Sequence, residues 1–241
     1  NKNNKYLIKD KERMDRSCLI HFSSMTPTNS TSKEFDTNQN HLKSIVNQLS
    51  NFNNSIDVIF ASSMAFYDYE LCGQEVREDS PKTTTNLYGV SKYKCELMLK
   101  DFHNKCQIGN FISLRLPGIL SPNGKPIHNF LLKALDGIEK NQDITLYKPA
   151  ASFNNVLTSK NIAQFIRKLL KKGSFKNSIL NLASSPPCQL EELIEYALKL
   201  YDSKSIIHWQ EKDPGFSINI DLALNAGYSP SNPFEAVNEF K

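Results

Sequence analysis

Apolar and polar positions along this chain follow two rhythms: short unbroken apolar runs, and longer stretches with a helical repeat. The run 18–22, closed by Ser23 and Ser24, predicts a buried strand. Leu42, Ile45, Val46 and Leu49 recur at i, i+3, i+4 and i+7, which predicts a helix over 35–49. The run 56–61 is a second buried strand, ending at Ser62 and Ser63. A polar loop through Asp68, Gly73, Glu78, Asp79, Ser80 and Pro81 leads to a helix over 86–102, with apolar positions at Leu87, Val90, Leu97 and Leu99. Residues 111–116 read as a third strand, stopped by Pro117-Gly118. Beyond it the pattern predicts turn chemistry at 121–126, a helix over 130–138, a strand at 144–147 and a helix over 162–170. Lys171 and Lys172 suit the negative end of that last helix. A strand at 178–182, a helix over 190–200 and turn signals at Pro214-Gly215 and 227–233 complete the series. Strands alternating with helices predict an α/β fold.

Composition removes several function classes. A length of 241 residues suits one large domain, or a domain with a smaller lobe. The 29 basic and 25 acidic residues leave a net charge of only +4, with no dense Lys/Arg cluster, so no nucleic-acid partner is expected. No apolar run is long enough to span a bilayer, and no apolar h-region marks a signal peptide. Five cysteines without a C-x-x-C pair argue against a disulfide framework and a zinc ribbon, so reduced thiols in a cytoplasm are expected. The five histidines lack metal-ligand spacing, so no metal site is expected, and His21, inside a strand, reads as a packed core residue. Neither a G-x-S-x-G elbow nor a phosphate-binding G-x-x-x-x-G-K-[ST] loop is present.

The most informative segment is Tyr88-Gly89-Val90-Ser91-Lys92. On a helix, residues four apart share a face, so the Tyr88 hydroxyl and the Lys92 ammonium lie over one side. A fixed cation favours phenolate, so Lys92 is expected to pull the tyrosine below its usual value of about 10 and make it a general acid or base. With nine tyrosines in a lysine-rich chain, about one such pair arises by chance, and a surface pair is the bland alternative. Ser62 and Ser63, at the carboxyl end of a strand, change that balance, because ligands of open α/β sheets bind there.

The run 57–67, then Glu78-Asp79-Ser80-Pro81, then Tyr88-Gly89-Val90-Ser91-Lys92 resembles the extended short-chain dehydrogenase/reductase superfamily, in its NAD-dependent epimerase/dehydratase branch acting on nucleotide sugars. Leu19 to Ser24, Asn38, the run 114–120, Asn181-Leu182-Ala183 and 221–228 match further family features in order. The resemblance implies a Rossmann-type doubly wound parallel sheet with a smaller C-terminal α/β substrate lobe. Residues 1–118, with 153–183 returning, would form a partial NAD(P)-binding domain; 119–152 and 184–241 would build the lobe. It implies Ser63, Tyr88 and Lys92 as catalytic residues. Phe22, Ser23, Ser24, Asn38, Ala61, Ser62 and Pro117, with Tyr88 and Lys92, would line NAD or NADP. Ser63, Met64, Gly118, Asn154 and Asn155 would meet the sugar nucleotide, although Asn154 and Asn155 read equally as a polar loop. A homodimer through the helix bearing Tyr88 and a role in polysaccharide biosynthesis are also implied.

Departures from the family refine the expectation. Sugar 4,6-dehydratases carry an Asp-Glu pair where this chain has Met64 and Ala65, neither of which moves a proton, so an NAD(P)-dependent epimerase or ketoreductase is expected instead. Gly118 stands where many relatives have a sugar-contacting Asn. The family opens with a glycine-rich turn that lets the backbone approach a pyrophosphate, yet no glycine precedes Gly73. The chain starts Asn1-Lys2-Asn3-Asn4 without Met, so a reading frame continuing upstream is the favoured explanation. Loss of that segment, or its supply by another chain, are the alternatives. A parallel sheet without its first strands would expose an aggregation-prone apolar edge. A catalytically inactive remnant that serves as a binding or interaction protein is the competing function.

Overall fold

The computed structural model describes residues 17–24, 32–49, 56–67, 73–82, 86–121, 130–147, 149–173, 175–210 and 216–241. The expectations placed on Asp68, Cys72, 122–126 and Pro214-Gly215 lie outside the described residues. In chain order the first half comprises β1 (Cys18–His21), α1 (Ser32–Leu49), β2 (Asp57–Ser63), β3 (Glu75–Val76), α2 (Leu87–Asn104), β4 (Phe111–Leu116) and β5 (Gly118–Leu120). The second half comprises α3 (Phe130–Glu139), β6 (Ile144–Tyr147), β7 (Ser152–Phe153), β8 (Val156–Thr158), α4 (Ser159–Lys172) and β9 (Ser178–Asn181). It ends with β10 (Cys188–Gln189), α5 (Leu190–Tyr201), β11 (Ile207–Gln210), β12 (Ser217–Ile218), α6 (Asp221–Asn225) and α7 (Pro233–Phe240).

The central sheet is parallel, in the order β1-β2-β4-β9. Its inner strands are apolar on both faces because helices cover both, the usual condition of a parallel sheet. Alternate side chains of β2 divide between the two faces. Val58 and Phe60 pack with Leu42 and Val46 of α1 and Leu99 and Phe102 of α2. Ile59 and Ala61 pack with Ile162, Phe165 and Leu169 of α4 on the opposite face. A separate core gathers Leu131 and Leu135 of α3, Leu193 and Ala197 of α5, Val237 of α7 and Leu146 of β6. The α/β class and the parallel sheet are as expected.

Side-chain caps start α4 and α7. The Thr158 hydroxyl accepts from Asn161 N while the Asn161 side chain reaches back, a capping box that fixes α4, and Gly173 ends the helix in the left-handed conformation. Asn232, with Pro233 at the first position and Glu235 closing the box, starts α7. One expectation needs correction: α2 spans about the predicted residues, but its apolar markers Leu87 and Leu97 are exposed. The buried face instead carries Gly89, Ser91, Lys92, Cys95, Glu96, Leu99 and Phe102. Polar groups are buried there because each finds a partner beneath the helix, and hydrophobic periodicity is blind to that.

Along β1, β2 is the neighbouring strand among the described residues, and Ile20 and Phe22 are exposed beside it. No helix among the described residues is long and apolar enough to cross a membrane.

Candidate active site

Three chain segments meet at the carboxyl ends of β1 and β2. Ser24 follows β1, Ser63 is the last residue of β2, and Tyr88 lies in the first turn of α2. The Asn86 side chain accepts from Tyr88 N at 3.0 Å and Gly89 N at 3.2 Å, capping α2 at the point where the phenol must be aimed. Ser63 Oγ accepts from Ala65 N at 3.1 Å and caps the 3₁₀ turn Met64–Phe66. The side chains of Ser24 and Ser63 lie within hydrogen-bonding reach of the Tyr88 phenol. The structure therefore brings together Ser63, Tyr88 and Ser24, three residues singled out in the sequence.

Lys92, one turn along the helix, is only 2% exposed. Its ammonium donates to the Ala61 carbonyl at 2.6 Å and lies 4.8 Å from the Phe60 ring centroid and 5.9 Å from that of Tyr88. Burial lowers it to about 8, with Cys95 and Glu96 pulling the other way. The expected acidification of Tyr88 does not occur in this state. Burial pushes the phenol above its ordinary value, and the groups that draw it down are the Ser24 and Ser63 hydroxyls. The reason is physical: desolvation of a buried phenol outweighs a cation whose nearest acceptor is a backbone carbonyl.

The remaining expected site residues are placed as follows. Asn38 Nδ2 donates to Ser91 Oγ at 2.9 Å, tying α1 to α2 beside Lys92. Ala61 serves through its carbonyl, and Ser62 is buried with an Oγ that has no hydrogen-bond partner among the described residues. Phe22 and Ser23 are exposed at the rim, and Met64 is buried in the core beneath the 3₁₀ turn. Pro117 is half-buried ahead of Gly118, which opens β5 and pairs with Val156. Asn154 exchanges two 2.9 Å bonds with the Ile218 backbone, and Asn155 donates to the Phe216 carbonyl at 2.9 Å. Both asparagines thus clasp the C-terminal segment, work that needs a specific partner 64 and 61 positions away rather than a polar loop.

A polar layer under α2 escaped the sequence reading. Ser62, Arg115 and Asn181 stand in register on β2, β4 and β9. Arg115 and Glu96, each 1% exposed, form a two-pronged ion pair at 2.9 and 3.1 Å, and Ser113 donates to Glu96 at 3.0 Å. The other arm of Arg115 donates to the Tyr67 hydroxyl at 2.6 Å and the Glu78 carbonyl at 2.8 Å. Both ends of the loop that follows the 3₁₀ turn are thereby fixed to β4. Glu96 lies four residues beyond Lys92, a spacing that was visible but had no visible partner. His21 is 4% exposed beside Phe60 and His41, with ring centroids 5.6 and 5.5 Å away. Burial, then the neighbouring Lys92 and His41, lower it to about 4, so the ring is neutral. Cys18, Cys95, Cys106 and Cys188 are free thiols. Among the described residues no cluster of His, Cys, Asp or Glu is arranged to hold a metal.

Comparison with known proteins bears on the fold and the family. A curated relative, N-acetyl-alpha-D-glucosaminyl-diphospho-ditrans,octacis-undecaprenol 4-epimerase of Escherichia coli O157:H7, is 22% identical over 140 residues. That alignment covers 57% of this chain and 40% of the relative, less than half its length. The fold matches UDP-N-acetylglucosamine 4-epimerase from Methanobrevibacter ruminantium M1, solved with UDP-N-acetylmuramic acid, at a TM-score of 0.76 and 19% identity, covering 96% of this chain and 79% of that one. It also matches UDP-glucuronic acid 4-epimerase from Bacillus cereus, solved with NAD, at a TM-score of 0.77 and 14% identity, covering 94% and 74%. At such identities the likeness speaks for the fold. The profile of the NAD dependent epimerase/dehydratase family matches residues 13–183, well over half of the 241, and the chain belongs to that family.

Proposed function

We propose that this protein catalyses NAD(P)-dependent hydride chemistry on a nucleotide sugar, as an epimerase or ketoreductase, with Tyr88 as the proton-transfer group. The observation that carries this reading is the Tyr88 phenol, buried and within hydrogen-bonding reach of Ser24 and Ser63, with the buried Lys92 ammonium one turn away. The relatives' chemistry supports it: one structural neighbour was solved with NAD, another with a UDP-sugar.

The residues present suit one end of the cofactor. Lys92 is a buried cation that donates to the Ala61 carbonyl and is able to offer further N–H donors to ribose hydroxyls. Ser24 and the rim residues Phe22 and Ser23 border the same space. No glycine precedes Gly73, so the described residues fit the nicotinamide ribose and not a pyrophosphate cradle. When bound, the nicotinamide supplies or accepts the hydride. Ser63 hydrogen-bonds the sugar oxygen at the reacting carbon and orients it. Tyr88 passes a proton to or from that oxygen. Because burial holds the phenol protonated near neutral pH, the resting site is set to donate, as reduction of a keto group requires. Met64 and Ala65 offer no group for a β-elimination, which disfavours dehydration.

In this reading the cofactor half is 1–118 with 153–183, and the substrate lobe is 119–152 with 184–241. The cytoplasm is the fitting compartment, since the described cysteines are free thiols. The test is Tyr88→Phe assayed against a panel of UDP-hexoses and UDP-N-acetylhexosamines. Turnover should fall by about 10²-fold or more, and unchanged turnover overturns the assignment. The competing reading is a non-catalytic binding protein. NAD(H) affinity of this chain measured by calorimetry decides between them, because clear binding contradicts a remnant.

A further inference from the structure

Gly89 follows Tyr88 directly and is buried where α2 lands on the 3₁₀ turn Met64–Phe66. A Cβ at this position would overlap the Ala65 carbonyl oxygen and stand 2.6 Å from the Ala65 carbonyl carbon and 2.8 Å from Phe66 Cα. These are main-chain atoms, so no rotamer change relieves the contact. Its φ is not in the left-handed region, so backbone conformation does not demand glycine here. What demands it is the approach itself.

The neighbours of this contact are the reacting groups. Ser63 caps the turn through Ala65 N, and Tyr88 is the residue before Gly89. The Gly89–Ala65 contact is therefore the fulcrum between the Ser63 hydroxyl and the Tyr88 phenol. We propose that Gly89 is a positioning residue: the absence of its side chain sets the separation at which Tyr88 and Ser63 share one hydrogen bond, and so one substrate oxygen. The mechanistic half of this statement rests on the function proposed above; the geometric half does not.

The test is a double-mutant cycle on the protein without ligand, using tyrosine labelled with carbon-13 at Cζ and the Tyr88 signal assigned with Tyr88→Phe. In the wild-type background, Ser63→Ala removes a bond to the phenol and displaces the Tyr88 signal and raises its titration midpoint. In Gly89→Ala the same serine substitution should have less than about half that effect, the signature of lost coupling. An equal displacement in both backgrounds overturns the proposal. Gly109→Ala is the control, a crowded glycine that faces Asp57 on the far side of the sheet's rim. It should lower stability while leaving the Ser63–Tyr88 coupling intact, and loss of coupling there too would mean general loosening and refute the idea. Should Gly89→Ala not fold, Asn86→Ala reads the same contact by removing the cap without adding an atom. It should weaken the coupling, and full retention counts against the proposal. With a substrate in hand, Gly89→Ala should lower kcat by about tenfold or more with KM within about twofold. A loss confined to KM contradicts positioning. If the wild type turns over no sugar nucleotide, the functional reading fails, while the ligand-free cycle still judges Gly89.

Discussion

Replacing Arg115 by Leu tests the buried layer beneath α2. The guanidinium makes two bonds to Glu96, one to the Tyr67 hydroxyl and one to the Glu78 carbonyl. Leucine leaves the Glu96 carboxylate, 1% exposed, with the Ser113 hydroxyl still donating to it. Orphaning one partner of a buried pair costs about 3–5 kcal/mol, while the Glu78 carbonyl keeps the Lys82 ammonium as a donor at 2.8 Å. Domains of ordinary stability have only about 5–15 kcal/mol to lose. Urea unfolding followed by circular dichroism should therefore show a much lower midpoint. The double variant Glu96→Leu/Arg115→Leu should recover part of the loss, because no charge is left unpaired. If Arg115→Leu costs under about 1 kcal/mol, or if the double variant is as unstable as the summed singles, the pair is not buried and coupled as described.

Two further outcomes follow from the geometry. Burial lowers Lys92 from 10.5 to about 8, so between those pH values the unfolded chain keeps a proton that the folded chain has released. Stability then rises with pH across the window, on the order of 3 kcal/mol in all. Burial raises Cys18, Cys95 and Cys188 from 9.0 to about 11, which works in the opposite sense above pH 9. The difference between wild type and Lys92→Met isolates the lysine; it should climb between about pH 8 and 10.5, and a flat difference refutes the burial argument. Asn154→Ala strands the Ile218 N–H and carbonyl and should cost about 2–4 kcal/mol. Limited proteolysis should then release the segment after residue 216 faster than in wild type, and an unchanged cleavage rate argues against the clasp.

What could be read from the sequence was what is local. Runs such as 56–61 and 111–116 announce buried strands without help, and Tyr88 with Lys92 announces a helical face. The short strands β3, β7, β8, β10 and β12 were not read, because two or three residues carry no period and each is defined by a distant partner. Helix α7 had a legible start, Asn232-Pro233-Phe234-Glu235, a capping box with proline at its first position. Arg115 lies inside the apolar run 111–116, which by itself says nothing of a partner. Its meaning lies in Glu96, on another element, and no single-segment pattern connects them. The protonation of Tyr88 was misjudged for a related reason: spacing gives the direction of a neighbour but not the depth of burial, and here depth decides.

The loop that follows Ser63 is held from far along the chain. β3 pairs with β12, and Asn219 donates to Glu75 across 144 positions. Arg77 reaches Asp221 at 3.7 Å. Closing so wide a circuit is entropically slow, so the proposed site around Ser63 is expected to be among the last regions to assemble as the chain folds. During synthesis the segments bearing Ser63 and Tyr88 leave the ribosome well before the residues that secure them. Nascent chains stalled short of residue 217 should carry an unformed, protease-sensitive centre, and its maturation should track the emergence of β12.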